Sequence, residues 1–287
     1  MSDLYEFLDY GAIVLLDTET TGLDVQKCRI IELAALRLEW NDQGMKMGIT
    51  ERYDNFIKLP EGQTIPEKIT DITGITNNML IDGISEEQAV FDFLHIIREK
   101  REPNNYWQRN KGKSKPTLLV AHNAQFDLLF IKETLARYGV DDLLLNADVL
   151  DTLTVYKDRS PYPHKLSDAI SEYGLDDKVQ NTHRAIDDAL ALYEVFKALD
   201  EERTDLFTYI NVFGYNPKYG ISGEKLPGII YCAQPYTDDL QSPECTLPAK
   251  AFEQKIAPTT AAEQEQDNAK DMTQEQETRA SVPKRRR

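Results

Sequence analysis

Ile13-Val14-Leu15-Leu16-Asp17-Thr18-Glu19-Thr20-Thr21-Gly22 is the stretch on which the fold turns. The apolar run from Ala12 to Leu16 suits a buried strand, and Asp17 opens a polar turn at its end. Side chains two apart in a strand point the same way, so Asp17 and Glu19 put two carboxylates on one face. Adjacent anions repel unless a cation lies between them, and no basic residue follows until Lys27. An isolated Asp-x-Glu is usually a strand running into an acidic turn. After so apolar a run and without a basic neighbour, a metal site is the better reading.

Outward from this stretch, residues 29–40 form a second long apolar run and residues 49–59 a third extended segment, together an N-terminal meander. Helices are expected over 66–72 and 85–99. The second has Ser85 as its cap, Glu86 and Glu87 in the first turn, and Val90, Phe91, Leu94 and Ile97 spaced to dock on the sheet. Residues 117–121 read as a short buried strand and 126–138 as the helix behind it. Another strand is expected to end around Asp148, with helices at 165–173 and 182–201. Strands that alternate with helices after a meander predict an α/β sandwich with a mixed sheet.

Two further segments carry chemistry. Ala121-His122-Asn123-Ala124-Gln125-Phe126-Asp127 directly follows a buried strand, and Asp127 falls at a helix start, where a carboxylate is electrostatically comfortable. Helix capping and metal ligation both account for it, and His122 and Asn123 are suited to organising the turn. His183-Arg184-Ala185-Ile186-Asp187-Asp188-Ala189 opens the long helix. At 100° per residue, Asp188 lies within about 60° of Ala185, Ala191, Leu192, Val195 and Leu199. An aspartate on the apolar face is costly unless compensated, so Asp188 is the candidate ligand. Asp187 falls toward Glu194, Lys197 and Ala198 and is expected to be solvated. His183 precedes the first turn, so loop geometry places it and it can move; a capping or surface role is its alternative.

The three segments, in this order and each at a predicted structural boundary, resemble the DEDDh (DnaQ-like) family of 3′-to-5′ exonucleases, kin of RNase T, oligoribonuclease and bacterial polymerase proofreading subunits. The resemblance runs over about residues 11–200 and implies a ribonuclease H-like mixed sheet flanked by helices. By it, Asp17, Glu19, Asp127 and Asp188 correspond to the metal-binding acids and His183 to the general base. It also implies that the backbone of Thr20, Thr21 and Gly22 contacts the terminal nucleotide and that Leu23 wedges against its base. His122, Asn123 and Phe126 join the candidate substrate contacts, with core packing as the alternative for Phe126. Oxygen ligands without a cysteine or a second histidine favour two Mg²⁺ or Mn²⁺ ions over Zn²⁺. The implied reaction releases nucleoside 5′-monophosphates from single-stranded DNA or primer ends, as in proofreading or repair, with a DNA polymerase and a homodimer as candidate assemblies. Short RNA is the alternative substrate, and a catalytically idle nucleic-acid or polymerase-binding module the alternative of another class. Ile69-Thr70-Asp71-Ile72-Thr73-Gly74-Ile75-Thr76 and Asp151-Thr152-Leu153 resemble the same family, the first also explicable as a helix ended by Gly74, the second read as structural.

Composition sets the outer bounds. With 41% hydrophobic and 29% charged residues, the 287-residue chain has an ordinary globular balance. Its longest apolar runs fall far short of the roughly 20 residues that span a bilayer, and no secretory signal is visible at Met1–Tyr5. Cys28, Cys232 and Cys245 lack metal-ligand spacing and are odd in number, so a disulfide framework is not expected and the cytoplasm is the expected compartment. A net charge of −16 opposes a polyanionic partner at long range, but bound metal ions reverse the sign locally. The expected organisation is an exonuclease domain at 1–203, a packed extension at 204–241 and a disordered tail at 242–287 that ends in a basic cluster. A basic loop at 100–116, with Tyr106 and Trp107 among its positive residues, and the segment Asn216-Pro217-Lys218-Tyr219-Gly220 between Tyr215 and Tyr231 are further candidates for gripping a strand.

Overall fold

The computed structural model describes residues 4–41, 46–98, 100–101, 114–140, 147–212, 215–216 and 220–221. The run that begins at Ala12 becomes β1 (Ala12–Thr20), the middle strand of a five-stranded sheet. It does not end in a turn at Asp17. Its antiparallel partner β2 (Ile30–Trp40) stays in register beneath the polar residues, pairing Asp17 with Ala34 and Glu19 with Glu32, and the ladder shifts only between Glu19 and Thr20. β3 (Met47–Phe56) adds antiparallel to β2 and completes the expected meander.

The chain then forms α1 (Glu67–Thr73), which Gly74 closes in the left-handed region at φ 71°, and a short α2 (Asn77–Ile81) that periodicity did not announce. α3 (Glu86–Ile96) begins as expected, with the Ser85 hydroxyl accepting the Gln88 N–H. Its buried face is Ala89, Val90, Phe93 and Ile96, whereas Phe91 is 66% exposed. Phe91 lies two residues, or about 160° around the helix, from Phe93 at the centre of that stripe, so it points away from the sheet. A two-residue pair, β4 (Lys100–Arg101) with β5 (Ser114–Lys115), flanks the basic loop; residues 102–113, including Tyr106 and Trp107, lie outside the described residues.

β6 (Thr117–Ala121) pairs parallel with β1 and leads into α4 (Ala124–Arg137). β7 (Asp148–Asp151) is parallel to β6, so a strand starts at Asp148 where one was expected to end. α5 (Thr152–Arg159) follows at once, also unannounced, because Asp151 caps it by accepting the Leu153 N–H. α6 (Leu166–Glu172) and α7 (Ala185–Glu202) complete the domain, and two short strands, β8 (Tyr215–Asn216) and β9 (Gly220–Ile221), form a further pair. Lys218, Tyr219 and Tyr231 of the second candidate grip, and the tail, lie outside the described residues.

The sheet order β3-β2-β1-β6-β7 is antiparallel on one side of β1 and parallel on the other, a ribonuclease H-like mixed sheet flanked by helices. One face carries Ile13, Leu15, Ala34, Leu36, Leu118 and Val120 against Ala189, Leu192, Val195 and Phe196 of α7. Residues 206–212 add to this layer: Leu206 and Tyr209 are fully buried in the same cluster, and Ile210 bridges to Leu150. No helix among the described residues is long and apolar enough to cross a membrane.

Candidate active site

Alternation along β1 buries Thr18 and Thr20 on one face and leaves Asp17 and Glu19 half-buried on the other, the face that α7 covers. α7 begins at Ala185, which places Asp188 in its first turn, where the positive end of the helix favours a carboxylate. Asp188 is 6% exposed and points to the sheet. Asp17, Glu19 and Asp188 each offer an oxygen within 4.8 Å of the others. Burial, and then the charges of Asp127, Asp188, Glu19 and Glu32, raise the Asp17 carboxyl well above the usual range. The neighbours that act on it most strongly are all anions. Such a group either keeps a proton or shares a cation, and an all-oxygen donor set of this kind fits a hard divalent ion.

Asp127 stands beside this trio rather than in it. It is buried in the first turn of α4 and accepts the Thr18 hydroxyl at 2.7 Å, so it reaches β1 from the opposite face. Burial pushes its pKa up to about 7, with the Thr18 hydrogen bond acting against the rise. The helix that carries it starts from Asn123, which is left-handed at φ 68°, a conformation in which asparagine is over-represented. Asp151 holds that turn: its Oδ1 accepts the N–H groups of Asn123 at 2.9 Å and Ala124 at 3.2 Å, and its Oδ2 accepts the Thr154 hydroxyl at 2.8 Å. One buried carboxylate thereby joins the start of α4 to the start of α5.

His183 is also left-handed, at φ 60°, and its Nδ1 lies 4.0 Å from Asp188 Oδ2 with the ring about a quarter exposed. The αL backbone costs roughly 1 kcal/mol in a residue with a Cβ, which the surrounding loop must supply. Asp187 is not simply solvated. It accepts the Thr182 hydroxyl at 2.5 Å and so braces the loop that carries His183.

The substrate-contact candidates divide. Leu23 is 43% exposed at the rim. The Thr20 hydroxyl donates to the Gly22 carbonyl at 2.7 Å, and Thr21 pairs with Arg29 through both its backbone N–H and its hydroxyl, so these groups build the turn. A Cβ at Gly22 would come within 2.9 Å of Cys28 Sγ, so the Cys28 side chain would have to shift to admit one. His122 is committed inward: Nδ1 meets the Thr152 hydroxyl at 3.0 Å and Nε2 the His164 carbonyl at 3.1 Å. Burial lowers its pKa to about 4, so the ring is neutral near pH 7 and Nε2 carries the hydrogen donated to His164. Phe126 packs tilted against Phe130 with ring centres 5.0 Å apart.

Sequence reading missed one pair. Glu32, opposite Glu19 in the ladder, is fully buried and receives both arms of the Arg184 guanidinium, at 2.9 and 2.6 Å to Oε1. The signal available was a glutamate inside the apolar run of β2.

The sequence pattern of the exonuclease family matches residues 14–196, a span that holds every one of these acids and His183. The chain belongs to that family. Within it, this DEDDh, DnaQ-like exonuclease domain is 30% identical over 195 residues to the DNA polymerase III subunit epsilon of Treponema pallidum, covering 67% of the chain and 77% of that relative. It is 30% identical over 213 residues to the PolC-type DNA polymerase III of Ureaplasma parvum, covering 74% of the chain but only 13% of the relative's length. In fold, the exonuclease domain is similar to Escherichia coli Exonuclease I crystallised with a dA16 oligonucleotide, with a TM-score of 0.54 and 19% identity over 69% of the chain and 42% of the other.

Proposed function

We propose that the chain is a metal-dependent 3′-to-5′ exonuclease that removes nucleoside 5′-monophosphates from single-stranded DNA or from a primer end. The observation that carries this is the convergence of Asp17, Glu19 and Asp188 within 4.8 Å, in a setting whose strongest charged neighbours are further carboxylates. Relatives named as a PolC-type DNA polymerase III and as a DNA polymerase III subunit epsilon, and a fold shared with an exonuclease crystallised on a DNA oligonucleotide, favour DNA over RNA as substrate. A polymerase is the favoured partner on the same ground.

In this reading Asp17, Glu19, Asp127 and Asp188 hold two divalent ions, Mg²⁺ or Mn²⁺. When bound, the ions offset the phosphate's charge and lower the pKa of the attacking water. His183 takes that water's proton as its oxygen bonds to phosphorus and the bond to the 3′ oxygen breaks, a role suited to an imidazole on a partly exposed loop. Asp188, 4.0 Å from the ring, stabilises the imidazolium that results. The backbone at Thr20–Gly22 and the exposed Leu23 receive the terminal nucleotide. Asp127, which the Thr18 hydroxyl holds at 2.7 Å, would complete the ligand set.

A time course on end-labelled single-stranded DNA, RNA and mismatched duplex, with and without Mg²⁺, tests the proposal. Mononucleotides should appear from the DNA substrates only with the metal. Release of RNA mononucleotides alone would move the substrate assignment, and no metal-dependent product from any of the three would end it.

A further inference from the structure

In β1 and β2, Glu19 and Glu32 are direct partners in the ladder, and Phe56 of β3 extends the same row. Side chains directly opposite each other in an antiparallel pair are neighbours, and like charges there are destabilising. Glu32 is moreover wholly buried. A carboxylate in that position persists only if its charge and lone pairs are satisfied, and Arg184 satisfies them: Nε lies 2.9 Å and Nη2 2.6 Å from Oε1, with Nε also 3.2 Å from Oε2. The guanidinium lies 4.8 Å from the centre of the Phe56 ring, which fixes its plane from one side.

Glu32 has a second contact. Its Oε2 accepts the N–H of Ala185 at 3.0 Å. Arg184 is the residue at the N-cap of α7 and makes no side-chain cap of its own, so a carboxylate from the sheet serves in its place. The two bonds grip Arg184 and Ala185, consecutive residues between His183 and Asp188. The segment bearing the candidate base and one candidate ligand is therefore fastened to the strand next to the one bearing Asp17 and Glu19.

We infer that Glu32 and Arg184 are positioning residues that set where Asp188 and His183 stand relative to Asp17 and Glu19, and so set the affinity of the site for divalent metal. This rests on the nuclease reading for its role in hydrolysis, but metal affinity can be measured without nucleic acid. Three single variants of the full chain decide it. Arg184→Met keeps the stem beside Phe56 and removes the fork; Arg184→Lys keeps the charge without the fork; Glu32→Gln keeps an acceptor for Ala185 and removes the charge.

Calorimetric titration with Mn²⁺ should show Arg184→Met weakened about 10- to 100-fold, the range expected when a group that orients a metal ligand is lost. Arg184→Lys and Glu32→Gln should fall between it and the wild type. With single-stranded DNA and Mg²⁺, kcat should fall in the same order while KM shifts little, since none of the three touches the strand. A purely structural role would lower Tm without moving the Mn²⁺ affinity of the folded protein. Wild-type affinity and kcat in folded Arg184→Met overturn the inference; if that variant does not fold, wild-type affinity in both Arg184→Lys and Glu32→Gln does so. A wild-type chain that binds Mn²⁺ yet hydrolyses none of the substrates removes the nuclease reading and leaves the clamp to be judged on affinity alone.

Discussion

α7 has acids at both ends, and the cluster around Arg159 and the cluster around Asp188 treat them in opposite ways. Near its C-terminus, Arg159 of α5 reaches across with its side chain 1% exposed, donating to the Leu199 carbonyl at 2.6 Å and to Glu202 at 3.1 Å, and pairing with Asp205. Asp158 beside it accepts the Tyr209 hydroxyl at 2.5 Å, and Glu202 accepts that of Tyr173 at 2.7 Å. Burial raises Asp158 to about 6, but Tyr209, Arg159 and Arg203 all pull it back. At the N-terminal end the nearby cation, Arg184, is spent on Glu32, and the charges that act most strongly on Asp17 only raise it further. Acids matched by cations and hydroxyls hold the fold together. Acids that only raise one another are relieved by a proton or by a shared cation, and the all-oxygen trio of Asp17, Glu19 and Asp188 suits the cation.

The contrast is broken most directly through activity. Asp188→Asn should remove roughly a thousandfold or more of Mg²⁺-dependent exonuclease activity, the several kcal/mol that coordination gives a transition state, while the fold persists. Asp187→Asn should be much milder, since it loses only the brace to Thr182. Equal losses on an end-labelled substrate would mean that this end of α7 is not specialised as described.

At the other end the loss should be stability. Arg159→Met leaves buried Asp158 and mostly buried Asp205 without their cation and should cost about 3–5 kcal/mol in chemical denaturation, with activity per folded molecule retained. A drop under 1 kcal/mol would show that this cluster does not depend on its cation.

Metal sharpens the comparison further. Mg²⁺ at about a hundred times its dissociation constant should stabilise the wild type by about 2.7 kcal/mol. Asp17→Asn should raise the metal-free Tm by relieving repulsion and abolish most of the Mg²⁺ increment; differential scanning calorimetry with and without EDTA reads both. An undiminished increment would place the ion elsewhere.

The smallest effect concerns Glu6, which burial and Asp200 push up to about 8. A carboxyl raised in the folded state binds more protons than in the unfolded chain between pH 4.5 and 8, so its contribution is present below that window and lost as pH rises through it. Glu6→Gln should therefore lower the pH dependence of Tm, gaining a few degrees on the wild type near pH 8.5 and nothing near pH 4.5. Parallel Tm curves would show that this acid is not held protonated.

Much of this was legible in local pattern. Strand alternation put Asp17 and Glu19 on one face, and helical phase separated Asp188 from Asp187, because both depend only on backbone geometry within a single element. The polar half of β1 was not legible, since Thr18 to Thr20 stay in the sheet only because β2 continues beside them. Phe91 misled because apolarity was weighed without its phase. Asp151 looked merely structural in sequence, and its hydrogen bonds show that the structure it provides is the turn carrying Asn123 and the start of α4.

The sequence by itself determined the chemistry available: which acids exist, which elements carry them, and that the donors are oxygen. Only the tertiary structure decided which acids oppose one another and which are neutralised. Glu32 and Glu19 are thirteen positions apart in the chain and direct neighbours in the ladder, and Arg184 comes from far along it to cover one of them. Electrostatic energy depends on distances in space and on burial, and neither is a function of any single segment.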